Sequence, residues 1–122
     1  MQALFEADPV VLAWWAAELE CISAIARLER DRTLRTESVD RSLARLDALA
    51  ESWHEIQPAE QVRRTARRLL RVHALRAADS LQLAAALVAA EGHPESLELV
   101  SFDDRLADAA RREGFPVLGS SR

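Results

Sequence analysis

The chain changes its hydrophobic period several times, and each change marks an element. Gln2 to Ala7 reads as the end of a helix, broken at Asp8-Pro9, because a residue before proline is pushed away from helical angles. Val10 to Trp14, VVLAW, is a short apolar run with β-branched and aromatic residues, which predicts a buried strand. From Ala16 to Asp31 the apolar positions Leu19, Ile22, Ile25, Ala26 and Leu28 recur at spacings of three and four, the stripe of an amphipathic helix. Thr36 to Ser52 repeats the pattern through Val39, Leu43, Leu46 and Leu49 or Ala50. Trp53 to Gln57 predicts a short strand closed by Pro58.

A basic helix is predicted next, with Pro58 at its start and Arg63, Arg64, Arg67, Arg68 and Arg71 along it. Most such faces are solvated; the alternatives are contact with RNA phosphate or an acidic partner. Ala77 to Ala90 is apolar on nearly every side, so it is expected at the centre of the fold, ended by Gly92-His93-Pro94. Leu97 to Phe102 predicts a strand, Asp103 to Glu113 a helix stopped by Gly114, and Phe115 to Leu118 a last strand. Strands alternating with helices imply an α/β fold with a parallel sheet covered on both faces. Sites in such sheets lie at the carboxyl ends of strands, where helices begin.

Composition narrows the class. The 122 residues suit a single domain spanning 1–122, and 49% hydrophobic with 30% charged residues is a globular balance. A net charge of -4 argues against simple attraction to bulk nucleic acid but leaves room for a local basic surface. One cysteine, Cys21, excludes an internal disulfide or a cysteine-built zinc site and fits a cytoplasmic location. Cys21 reads as a small core residue, and His54, His73 and His93 as surface histidines. Trp14 and Trp15 should point to opposite faces. No signal peptide or membrane-spanning run is visible.

Acids at predicted helix starts carry the candidate chemistry. Asp79 stands near the start of RAADSLQLAAAL, and Asp79 with Gln82 has the spacing of a capping box. Asp103 and Asp104 follow the strand LELVSF, where one cap needs only one acid. Glu20 sits among Leu19, Cys21 and Ile22 and could equally face solvent. If Glu20, Asp79 and Asp103 converge, they repel one another unless a cation joins them. Mg²⁺ or Mn²⁺ prefers oxygen ligands, activates water and stabilises charge developing on a phosphate. Spacing alone does not single out such a site.

These same segments resemble a family. LRAADSLQLAAAL, LVSFDDRLADAARREGFPV and VVLAWWAAELECISAIARLERD are similar, in that order, to the motif segments of PIN-domain ribonucleases, particularly VapC-type toxins of toxin–antitoxin pairs. The resemblance implies a three-layer α/β/α domain with a central parallel sheet, and hydrolysis of RNA phosphodiester bonds with Mg²⁺ or Mn²⁺. By position, Glu20, Asp79 and Asp103 match the family's acids, Ser101 its small supporting hydroxyl residue, and Asp104 a possible fourth acid. It further implies a small antitoxin partner, a homodimer, and no membrane. The family's first strand, with its aspartate, has no counterpart in MQALFEADPV, so the N-terminal strand is expected to be missing. Two other readings stand beside the ribonuclease: an inactive PIN-like module that binds an antitoxin, and a helix-rich domain whose acids are only caps.

Overall fold

The computed structural model describes residues 11–101 and 103–119. The predicted helix end at Gln2 to Ala7 and its break at Asp8-Pro9 lie outside the described residues, as does Phe102. The chain divides into two compact units, Met1–Ile56 and Gln57–Arg122.

In the first unit, strand β1 (Leu12–Trp14) leads into helix α1 (Ala17–Arg30), then helix α2 (Thr36–Ser52) and strand β2 (His54–Ile56). β1 and β2 pair in parallel, with Leu12 opposite His54 and Trp14 opposite Ile56. Trp14 is buried while Trp15, just past the strand, is half exposed, the opposed placement the alternation predicts. α1 packs on α2, whose stripe buries Val39 and Leu46 but leaves Leu49 exposed. α1 has no fully buried residue. Its end turns through Arg32 at φ 59°, with Thr33 N–H donating to the Leu28 carbonyl and Arg32 N–H to that of Glu29. That is a Schellman ending built without the usual glycine.

The second unit begins with helix α3 (Glu60–Val72) and helix α4 (Ala77–Ala90), which pack on each other. Ala59 is the N-cap of α3, so Pro58 precedes the helix instead of opening it. Val62, Ala66 and Leu69, spaced four and three apart, form its buried face, and its arginines lie exposed. Leu69, Leu83, Ala84 and Ala85 are fully buried. The alanines let a neighbouring backbone approach closely, which suits helix-on-helix packing. After a 3₁₀ turn (Pro94–Ser96), strand β3 (Leu99–Val100), helix α5 (Asp104–Arg112) and strand β4 (Val117–Leu118) form a βαβ unit. β3 and β4 pair in parallel, Leu99 opposite Val117 and Val100 opposite Leu118.

This architecture overturns the expected three-layer α/β/α fold with one central parallel sheet. The described residues are 65% helix and 9% strand, and the strands form two separate two-stranded sheets. The strand next to α5 shows why the expected ladders do not extend. Proline at 116 has no N–H to give to a ladder. Phe115 N–H is already donated to the Ala110 carbonyl, and Gly114 N–H to that of Arg111. These two bonds are the Schellman ending of α5, with Gly114 at φ 105°. Only Val117 and Leu118 are left to pair. The apolar surface expected to cover a sheet is instead buried between α3 and α4.

Candidate functional site

An open depression of about 390 Å³ in the second unit is lined by Arg76, Asp79, Asp103, Asp104 and Arg105. Two helix starts build it. α4 begins after Arg76, whose extended backbone makes it the N-cap. Asp79 is therefore the third residue of the helix and caps nothing, which corrects its reading as a capping-box aspartate. Neighbouring Ser80 is buried and donates from Oγ to the Ala77 carbonyl at 2.7 Å, so the turn carrying Asp79 is anchored. Burial pushes the Asp79 carboxyl above its ordinary range; the nearby Asp103 charge pushes the same way and the Arg76 guanidinium opposes both.

Asp103 is the N-cap of α5, and its Oδ1 accepts from Leu106 N–H at 2.9 Å. Asp104 is then the first helical residue, which accounts for the pair of acids. Ser101 is buried; its Oγ accepts from Asp103 N–H at 3.1 Å and faces the Asp103 carbonyl at 3.2 Å. Thus the hydroxyl two residues before the aspartate fixes the backbone from which the carboxylate projects.

Of the acids singled out in the sequence, Asp79, Asp103 and Asp104 line one depression. Glu20 belongs to the first unit, in the first turn of α1, half-buried. Its charge adds to partial burial in raising the Cys21 thiol, and Cys21 is exposed on α1, not in the core. Among the described residues, no group of three or more His, Cys, Asp and Glu side chains is gathered closely enough to hold a metal ion by itself.

One cluster escapes a reading of the sequence. Glu113, at the carboxyl end of α5, accepts from the Arg68 guanidinium at 2.9 and 3.3 Å and contacts His73 Nε2 at 2.7 Å. The hydrogen bond from Arg68, and then that from His73, holds the Glu113 carboxyl below its ordinary range against the opposing effect of burial. The His73 side chain is only 5% exposed, so it is not the surface histidine expected. A signal was present: an acid at a helix carboxyl end opposes the helix dipole, so Glu113 calls for cations from elsewhere.

No protein-family model matches the chain, and neither a curated protein nor a solved structure matches it.

Proposed function

We propose that the protein is a divalent-metal-dependent ribonuclease that hydrolyses RNA phosphodiester bonds at the Asp79–Asp103 depression. The carrying observation is that two carboxylates from two different helix starts meet in one open depression flanked by Arg76 and Arg105. The motif resemblance to PIN-type ribonucleases supports the reading through these same residues. So does the local βαβ unit, which puts Asp103 where β3 hands over to α5.

The donor set fits the ion. Mg²⁺ takes few protein carboxylates and completes its shell with water and substrate phosphate oxygens. Asp79 and Asp103 would hold it, with Asp104 beside them. When bound, the ion would supply a nucleophile at neutral pH and stabilise charge on the phosphate. The chain's own residues do the rest. Ser101 fixes the Asp103 backbone, and the Leu106 N–H occupies Oδ1, leaving acceptor capacity on the carboxylate. Arg76 and Arg105 attract the phosphate and orient it against the two acids.

The test is Mn²⁺-dependent cleavage of a labelled RNA, with Mn²⁺ binding followed by calorimetry. The wild type should bind and cleave, and Asp79→Asn and Asp103→Asn should each lose at least tenfold in rate. Asparagine remains a good N-cap, so Asp103→Asn changes charge more than stability. Failure of the wild type to cleave, or cleavage by either variant at the wild-type rate, defeats the proposal.

A further inference from the structure

We propose that one face of α5, running away from the acidic depression, is a track for single-stranded RNA. In it Arg105 and Arg112 hold phosphates and Asp108 accepts a hydrogen bond from a ribose 2′-hydroxyl between them. The inference rests on the RNA reading of the Asp79–Asp103 depression and names how that substrate is held.

A second cavity of about 340 Å³ is lined on the α5 side by Arg105, Asp108, Ala109 and Arg112, and on the other by Val72 to Ala74. Positions 105, 108, 109 and 112 are spaced three, one and three apart, so they share one helix face. Arg105 also lines the acidic depression, which makes the two cavities neighbours along α5. Arg105 and Arg112 are exposed, with no ion-pair partner among the described residues. Other arginines of this unit are engaged: Arg68 by Glu113 and Arg111 by Asp108.

Seven residues of helix rise about 10 Å, which is about three nucleotide steps of a stacked strand at roughly 3.4 Å each. Asp108 falls between the two guanidiniums, where a ribose would lie. Its side chain is 37% exposed, and Oδ1 accepts from Arg111 at 3.3 Å. A carboxylate has about four lone-pair sites, so a further acceptor role is within its capacity. A carboxylate placed between two cations repels a compact dianion but suits an alternation of phosphate and sugar hydroxyl. The 2′-hydroxyl is the group that separates RNA from DNA.

The experiment is fluorescence anisotropy of the full chain in EDTA, so that nothing is cleaved. The probes are an oligouridylate, an oligodeoxyuridylate of equal length and an oligoglutamate peptide, each followed across a salt series. RNA should bind severalfold tighter than DNA. Arg112→Ala should weaken both nucleic acids and lower the salt slope of log K by about 0.7, the release expected for one single-strand phosphate. Asp108→Ala should bring RNA and DNA to equal affinity. Arg112→Gln and circular dichroism guard against a folding defect. An unchanged slope in both Arg112 variants overturns the track. So does an unchanged RNA-to-DNA ratio in Asp108→Ala, or a peptide that binds as tightly as RNA. If the expected binding changes appear without any Mn²⁺-dependent cleavage, hydrolysis alone fails. Cleavage without those changes defeats the track alone.

Discussion

Removing Glu113 tests the cluster that ties the end of α5 to α3. Glu113→Ala deletes the acceptor of both Arg68 and His73. The Arg68 side chain is 51% exposed, so its share of the pair is discounted to about 0.5 kcal/mol. His73 is nearly inaccessible, and losing a charge-assisted hydrogen bond there costs about 1.5 kcal/mol. The sum is about 2 kcal/mol, or about 8 °C in Tm for a domain of this size. The pH dependence has a definite sign. Glu113 is held below its ordinary range in the folded chain, so its contribution is complete above the ordinary glutamate value. It is lost as pH falls through the lowered folded value. Thermal unfolding of wild type and Glu113→Ala across an acid-to-neutral series measures this. A difference under about 0.5 kcal/mol near neutral pH, or one that grows on acidification, refutes the reasoning. Arg68→Ala should cost clearly less than His73→Ala, because the bond from Arg68 is made by a half-exposed side chain and that from His73 by a buried one, whose deletion also leaves a void.

Two further substitutions separate local roles. Asp103→Ala should cost about 1 kcal/mol through loss of the N-cap, whereas Asp79→Ala, which removes no capping bond, should cost less; urea unfolding of both variants compares them. Gly114→Ala should destabilise by more than about 1 kcal/mol in a thermal scan, because an L-residue at φ 105° is strained and its Cβ would meet Pro94 Cγ at 3.0 Å.

Hydrophobic period alone located the helices. α2 and α4 fall at Thr36–Ser52 and Ala77–Ala90, the spans predicted from the stripe of the one and the unbroken apolar run of the other, because both patterns are local properties of the chain. The ending of α5 at Gly114 was legible for a similar reason: a left-handed residue is needed there, and glycine supplies it. The strands were legible in place, each of the four lying inside its predicted run, but not in extent. Leu97 to Phe102 has the composition of a buried strand, yet only Leu99 and Val100 pair. How far a ladder extends depends on the partner's free N–H groups, and Pro116 and the α5 ending remove those.

The candidate site divides the same way. The sequence by itself determined which residues could do chemistry: the acids at the starts of α4 and α5, and Ser101 two residues before Asp103. Tertiary structure decided which of them act as caps and which meet. The D-x-x-Q spacing marks a cap only if Asp79 is the N-cap, and the N-cap of α4 is Arg76, three residues earlier. It also gathered groups far apart in the chain, Asp79 with Asp103 and Arg68 and His73 with Glu113. Periodicity reports the face of one element. Convergence depends on how elements pack, and that is set by the buried alanines and leucines of α3, α4 and α5, whose hydrophobic faces carry no information about which acids will meet.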